Sequence, residues 1–477
     1  MGNTDKYLAV DIGASSGRHI VGSVEDGIMK LTEVYRFENG VHERNGHLCW
    51  DMDHLANSVI EGIKKAKETG VTPKSIGIDT WAVDFVLLDE NDRIIGDTVA
   101  YRDNRTNGVR EALEADGITF AECYHRTGIQ FQKFNSIYQL AAIKRDHPEY
   151  LERAKHFLMI PDYLNFVLTG VKTNEYTNAT STGLVHAETR NWDYELIEKI
   201  GLPKEIFGEI KVPGTEVGPL KKEIAEYTGV EANEVMVVLP ATHDTGSAYL
   251  AVPARDDEAV FLSSGTWSLL GVENMEAITS DASEAENFTN EGGYEYRFRY
   301  LKNIMGLWMF QNVKKEMEAK RGAKLGFTEL IDGAKAMDLD VLVDVDDDRF
   351  LAPASMIDEV RKACAEKGVT LPEKDDAVTN VVFRSLAKDY QIAVEKLKNL
   401  TGKNYTSMNI VGGGCQNAYL NQLTANSTGL TVFAGPTEGT ALGNLMVQFI
   451  RDGKYADLQA ARDAIKKSFE IKEFQGE

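Results

Sequence analysis

Positive charge is scarce in this chain. Its 477 residues carry 52 Lys and Arg against 74 Asp and Glu, a formal net charge of −22. Attraction to nucleic acid or to an anionic membrane draws on positive patches, so neither is expected as a partner. Cysteine is scarce too, at Cys49, Cys123, Cys364 and Cys415. No pair shows Cys-x-x-Cys or metal-ligand spacing, which points to free thiols in a reducing compartment. No stretch approaches the roughly 20 apolar residues of a membrane span. The apolar run at residues 7–10 is too short for a secretory signal, so a cytoplasmic location is expected. Gly-x-x-x-x-Gly-Lys-Ser/Thr is absent, which disfavours a P-loop, and the protein-kinase signature set is missing. The acidic run 344–348 reads as a solvated loop, because Arg349 stands where a calcium loop needs glycine. His42, His47 and His54 lack metal-ligand spacing.

What is present is material for cores. Hydrophobic residues make up 43% of the chain, and at roughly 150 residues per domain the length implies two or three domains. Short apolar runs alternate with longer helical patterns, the signature of an α/β fold. Residues 6–11 read as a buried strand, 13–17 as a turn, and 18–24 with 29–37 as a meander. Asp51 or Asp53 is placed to cap a helix ending near Glu68. Strands are expected at 75–79, 83–88, 235–239, 259–262 and 408–411. Helices are expected at 137–145, 161–168, from Lys302 through Met317, at 376–400 and at 456–469. Two glycine and hydroxyl turns echo each other, 13–17 and 263–268. They imply two similar domains facing each other across a cleft, with a boundary within 248–257.

Five segments offer chemistry. In Gly13-Ala14-Ser15-Ser16-Gly17-Arg18, small residues let backbone N–H groups approach an anion, the serines add donors, and Arg18 adds a permanent charge. An ordinary hairpin turn fits the same residues. Asp11, at the strand end before it, is placed to hold Mg²⁺ through water or to be a solvated or capping aspartate. Thr242-His243-Asp244-Thr245-Gly246 follows an apolar strand. A sugar hydroxyl becomes a nucleophile when its proton has somewhere to go, and a positioned base contributes about 10²–10⁴-fold. On these residues alone, Asp244 and His243 both qualify as that base, the histidine having an unperturbed pKa of about 6.5. A histidine that only orients Asp244 is the third option.

The remaining segments are also double-edged. Ser263-Ser264-Gly265-Thr266-Trp267-Ser268 offers Thr266 as a hydroxyl for phosphate, or is a plain hairpin. Gly412-Gly413-Gly414-Cys415-Gln416-Asn417 permits close backbone approach to adenine or ribose, or is a strand-to-helix turn in which Cys415 only packs. Asp79-Thr80-Trp81-Ala82-Val83-Asp84 sets acids beside an aromatic ring. Trp81 suits the apolar face of a sugar and the carboxylates suit its hydroxyls. A core tryptophan with exposed acids is the competing reading.

Taken in order, these segments resemble the FGGY family of carbohydrate kinases, within the actin, Hsp70 and sugar-kinase superfamily, nearly end to end. The resemblance is carried by Ala9-Val10-Asp11-Ile12-Gly13-Ala14-Ser15-Ser16-Gly17-Arg18, Gly77-Ile78-Asp79-Thr80-Trp81-Ala82-Val83-Asp84-Phe85 and Tyr101-Arg102-Asp103-Asn104-Arg105-Thr106-Asn107. It continues through Tyr176-Thr177-Asn178-Ala179-Thr180, His243-Asp244-Thr245, residues 262–269, Asn290-Glu291-Gly292-Gly293, and the segments 302–308 and 411–417. It implies two ribonuclease-H-like α/β domains with an interdomain cleft, a sugar-binding domain at 1–248 and a nucleotide-binding domain at 249–477. It implies ATP contacts at Gly13, Ala14, Ser15, Ser16, Gly17, Arg18, Thr266, Asn303, Gln311 and Gly413, with Mg²⁺ at Asp11. It implies sugar contacts at Ala82, His243, Asp244 and Thr245 beside Trp81, and it gives the proton to Asp244 rather than His243.

Within the family the likeness is nearest to kinases acting on L-rhamnulose at O1, which implies ATP and that sugar as partners of a monomer or homodimer. Ala82 stands where relatives look to carry glycine. The segment Phe134-Asn135-Ser136-Ile137-Tyr138 offers Asn135 and Tyr138 where many members have Lys and Trp. A related ketose such as L-fuculose or L-ribulose is an alternative substrate. An ATP-driven conformational protein of the actin or Hsp70 type is an alternative class, against which Asp244 and the Trp81 cluster argue.

Overall fold

The computed structural model describes residues 4–477, so the first three positions of the segment expected at 1–248 lie outside the described residues. The chain forms two compact units. The first takes the residues up to Ala251, then Glu273–Tyr300 and Gly439–Ser468; the second takes Val252–Val272, Leu301–Glu438 and Phe469–Glu477.

The first unit is organised on the strand Tyr7–Ile12, buried at every position, as befits a strand covered on both faces. It pairs antiparallel with Ser16–Glu25 and parallel with Ser75–Thr80, and the parallel register sets Asp11 beside Asp79. The sheet runs Glu216–Pro219, Met236–Val238, Ser75–Thr80, Tyr7–Ile12, Ser16–Glu25, Ile28–Glu38. Side chains alternate between its faces. Leu8, Val10, Ile76 and Ile78 share a core with Leu55, Val59, Ile63 and Ala66. Those last four lie at helical spacing on Met52–Glu68, which Asp51 caps by accepting from His54 N. On the opposite face Tyr7 packs edge-on against Phe449 of the helix Gly439–Arg451. From that helix Gln448 Nε2 donates to Leu8 O at 3.1 Å, and Asn444 Nδ2 to Gly77 O at 3.0 Å. Asp11 and Asp79 belong to this second face.

In the second unit, Ala259–Ser264 forms an antiparallel hairpin with Trp267–Asn274 and pairs parallel with Ser407–Val411. Ser407–Val411 pairs parallel with Thr431–Ala434, which pairs antiparallel with Lys472–Phe474. The long helix Asp376–Thr401 buries Phe383 against Phe310, with ring centroids 4.9 Å apart, and Tyr390 Oη meets Ser268 Oγ at 2.7 Å.

One expected element differs. The chain does not turn helical at Lys302: the strand Phe298–Met305 continues to Met305, and the helix Trp308–Arg321 starts later. The cause is at Gly306, where a Cβ would lie 2.6 Å from Trp267 C and 2.7 Å from Ser268 N. The strand end therefore comes down onto the hairpin turn, and Leu307 N and Trp308 N donate to Gly265 O and Thr266 O before the helix begins. All four cysteines are buried free thiols. Among the described residues no helix is long and apolar enough to cross a membrane.

Candidate active site

In the first unit, Asp244 opens the helix Asp244–Leu250 and His243 is its N-cap. A carboxylate in the first turn is favoured by the helix dipole. Thr245 N and Oγ1 donate to Asp244 Oδ1 at 2.6 and 3.1 Å. Among the described residues Oδ2 accepts no hydrogen bond. A third of the side chain stays exposed, yet the surrounding protein pushes the carboxyl up to about 7. Burial acts first, the Asp11 charge adds to it, and the bonds from Thr245 oppose both. That places it in the range where a base accepts and releases protons near neutrality.

Two more acids stand by. Asp79 is fully buried; Oδ2 accepts from Asn444 Nδ2 at 2.6 Å, and Oδ1 has no hydrogen-bond partner among the described residues. Burial, and then the charges of Asp11 and Asp244, hold its carboxyl well above the usual range. Asp11 pairs with Arg18, whose Nε and Nη2 donate to Oδ2 at 3.0 and 2.8 Å. The turn between them is a hairpin closed by Gly13 N on Ser16 O at 2.9 Å. The expected Arg18 thus faces Asp11, and Ser15 is exposed at the tip. The sequence offered Asp79 only as an acid for sugar hydroxyls, and the structure sets it beside Asp11 instead. Its signal was the repeat of Val10-Asp11-Ile12 as Ile78-Asp79-Thr80, which parallel pairing turns into two neighbouring carboxylates.

Thr242 is clamped from behind. Glu175, fully buried, accepts from Thr242 N at 3.0 Å, Thr242 Oγ1 at 2.6 Å, Thr177 N at 2.9 Å and Thr177 Oγ1 at 2.5 Å. Thr177 Oγ1 in turn accepts from His243 N at 3.2 Å, and Thr80 N donates to Thr242 O at 2.9 Å. His243 is buried, and its imidazole is held well below its ordinary pKa by burial and by the Arg299 charge. An imidazole so disfavoured as a cation is a poor proton acceptor. Glu175 carries no sequence signal for this role, because it acts through Thr242, which is remote in the chain.

Trp81 is 6% exposed. Its ring lies 4.2 Å from that of Trp50, and both indoles donate to Asp84 Oδ2, at 3.0 and 2.6 Å. Tyr101 N also reaches Oδ2 at 3.1 Å, and Gln139 Nε2 reaches Oδ1 at 2.9 Å. Asp84 is therefore neither exposed nor available to sugar hydroxyls. It is the buried hub that orients both tryptophans. Ala82 is half-buried beside Val83, whose φ of +66° is strained for a β-branched residue. Asp84 N closes this tight turn on Ala82 O at 2.9 Å, and strain of this kind gathers at functional sites.

In the second unit, Thr266 sits in the turn of its hairpin, its carbonyl receiving Trp308 N. Gly412 has a φ of +86°, and a Cβ there would lie 2.9 Å from Ser264 O; at Gly414 it would overlap Ser264 Oγ. These two glycines let the turn close onto the Thr266 hairpin, whereas Gly413 between them faces open space. Asn303 lies near the end of Phe298–Met305 with Oδ1 buried and unpartnered among the described residues. Gln311 is exposed in the first turn of Trp308–Arg321.

Comparison with known proteins fits this arrangement. The N-terminal domain of the FGGY family of carbohydrate kinases matches residues 6–251, and its C-terminal domain matches 260–451. A rhamnulokinase of Halalkalibacterium halodurans is 50% identical over 467 residues, 98% of each chain. One of Bacillus subtilis is 40% identical over 469 residues, 98% of this chain and 95% of that one. Among solved structures, gluconate kinase from Lactobacillus acidophilus has a TM-score of 0.79 at 17% identity, covering 100% of this chain and 94% of its own. Plasmodium falciparum glycerol kinase with ADP has a TM-score of 0.78 at 15% identity, covering 99% and 94%. These likenesses are of fold, the two-domain α/β ribonuclease-H type expected from the sequence. With both family domains matched along most of its length, the chain belongs to the FGGY family of carbohydrate kinases.

Proposed function

We propose that this enzyme transfers the γ-phosphoryl group of ATP to O1 of L-rhamnulose, giving L-rhamnulose 1-phosphate and ADP in the cytoplasmic catabolism of L-rhamnose. The observation that carries the reading is the full-length identity to rhamnulokinases. The chemistry finds its support in Asp244. Oδ1 is occupied by Thr245, so Oδ2 is the atom that takes the O1 proton as the new O–P bond forms. Phosphoryl transfer asks the protein mostly for positioning and charge stabilisation. The clamp of Glu175 on Thr242 supplies positioning for Asp244. Trp81, Ala82, His243 and Thr245 are assigned to the sugar. In the first unit Gly13, Ala14, Ser15, Ser16, Gly17 and Arg18, and in the second Thr266, Asn303, Gln311 and Gly413, are assigned to ATP.

The residues around Asp11 fit a Mg²⁺ ion. Asp11 and Asp79 are neighbours across the parallel register, and Asp79 Oδ1 is buried without a hydrogen-bond partner among the described residues. Asp11 would hold the ion through water, since Mg²⁺ keeps several of its waters. When bound, such an ion neutralises charge on phosphate oxygens.

The test is ATP consumption by the purified enzyme with L-rhamnulose, L-fuculose and L-ribulose, and the position of the product phosphate read by NMR. The expected result is the highest kcat/KM with L-rhamnulose and phosphate at O1. Another ketose ranking well above it overturns the substrate, and ATP turnover that no sugar stimulates overturns the kinase reading.

A further inference from the structure

Arg299 is fully buried, and the mechanism above gives it no task. A guanidinium in a protein interior is costly unless its donors are satisfied. Here Nε donates to Gly292 O at 3.1 Å and Nη2 lies 3.0 Å from His243 Nδ1, while Nη1 pairs with Glu291 Oε2 by charge alone, at 3.1 Å and without hydrogen-bond geometry. The group also lies over the Tyr249 ring at 5.9 Å.

Arginine has only donors, so its contact with Nδ1 is attractive only when that nitrogen carries a lone pair. The imidazole proton then sits on Nε2, which lies 3.5 Å from Asp244 Oδ1. The opposite tautomer would set a ring lone pair against the carboxylate. A competing influence is present, since Glu291 Oε2 lies 3.3 Å from Nδ1 and would draw a proton onto it. Arg299 opposes this twice, by donating to Nδ1 and by pairing with the same carboxylate.

We infer that Arg299 is a positioning residue: it fixes His243 as the Nε2–H tautomer, which sets a ring N–H rather than a lone pair 3.5 Å from Asp244 Oδ1 and leaves Oδ2 turned to the acceptor hydroxyl. The inference rests on Asp244 being the base. It adds that the geometry of that base is set from Glu273–Tyr300, a stretch distant in sequence.

The test is ¹⁵N NMR of the full-length enzyme labelled at histidine, with the His243 signals assigned by their loss in His243→Gln. The expected wild-type spectrum shows protonated Nε2 and unprotonated Nδ1. In Arg299→Met the proton moves to Nδ1 or is shared. There kcat falls about 10–10²-fold, as for a misplaced catalytic group, while KM for ATP stays within about twofold. Arg299→Lys keeps the donor and recovers part of kcat. A wild-type spectrum showing Nδ1–H or the imidazolium overturns the inference whether or not any variant folds. Retention of both tautomer and kcat in Arg299→Met overturns it too. The tautomer is read without substrate, so a wild-type enzyme that phosphorylates no sugar would defeat the proposed function and leave this measurement to decide the inference by itself.

Discussion

The two units use one order of strand pairing for different ends. In each, a hairpin strand pairs parallel with a second strand, that strand with a third, and an antiparallel strand closes the edge. In the first unit the hairpin strand and its parallel neighbour carry Asp11 and Asp79, and the chain beyond the third strand leads to Asp244. In the second unit the neighbouring strand ends in Gly412-Gly413-Gly414, packed on Ser264 of the hairpin strand. One set of strand ends concentrates carboxylates until the proton affinities of Asp79 and Asp244 rise. The other removes side chains until backbone is accessible. The lesson is that the shared pairing order specifies where chemistry is presented, and the residue at each strand end specifies which chemistry it is.

The comparison is tested most severely at Asp244. Asp244→Asn is expected to lower kcat about 10³-fold, within the usual range for a lost general base, with KM for ATP within about twofold. Near-normal turnover would strip the first unit of its assigned role. Next comes the second unit's glycine turn. Gly412→Ala places a methyl group against Ser264 O at positive φ, and is expected to cost about 1–3 kcal/mol in denaturant unfolding. Gly413→Ala meets open space and is expected to stay within about 0.5 kcal/mol while raising KM for ATP. Equal stability costs at the two positions would contradict the division between packing and binding glycines.

The pH dependence is a smaller and graded effect. The Asp244 carboxyl is raised to about 7, so below that pH it is protonated and cannot accept the hydroxyl proton. Turnover is expected to rise with pH through about 7, near tenfold per unit on the acid side; a flat kcat profile from pH 5 to 8 with chemistry rate-limiting would contradict it. For stability the sign is opposite. A carboxyl raised on folding favours the native state below its unfolded value, and that contribution is lost as pH rises through the folded one. The smallest expected effect is at Val83. Val83→Gly and Val83→Ala both give up the buried valine side chain, but only glycine relieves the strained φ, so after its own entropic cost Val83→Gly is expected to be about 1 kcal/mol more stable than Val83→Ala, while KM for the sugar rises in both as Ala82 and Trp81 loosen. Equal stability of the two variants would show that the turn stores no strain.

Features set by neighbours in sequence were legible from it. A cap at Asp51 or Asp53, of which the structure uses Asp51, the hairpin at 13–18 and the glycine turn after 411 each follow from local residue choice. Features set by partners far along the chain were not. Asp84 read as an acid for sugar hydroxyls because its donors, Trp50, Tyr101 and Gln139, come from three separate segments. Asp79 gained its meaning only when parallel pairing set it beside Asp11. Glu291 and Arg299 sit in a stretch that reads as part of the second half of the chain but packs in the first unit. The late start of the helix at Trp308 depended on how closely Gly306 approaches another strand, which residue patterns do not encode.

The first unit is completed by residues made late. Gly439–Arg451 supplies Asn444 and Gln448, which hold Asp79, Gly77 and Leu8. Further on, Arg462 ties Tyr249 O, at 2.9 Å, to the Glu273 carboxylate. Domains generally fold as units while the ribosome is still adding residues. Here a growing chain that has already emerged through Asp244 still lacks one face of its own first sheet. Biosynthesis thus delays a positioned base until residues 439–468 have been added: a chain stopped before residue 439 contains every sugar-facing residue assigned above but lacks the helix that covers the second face of their sheet.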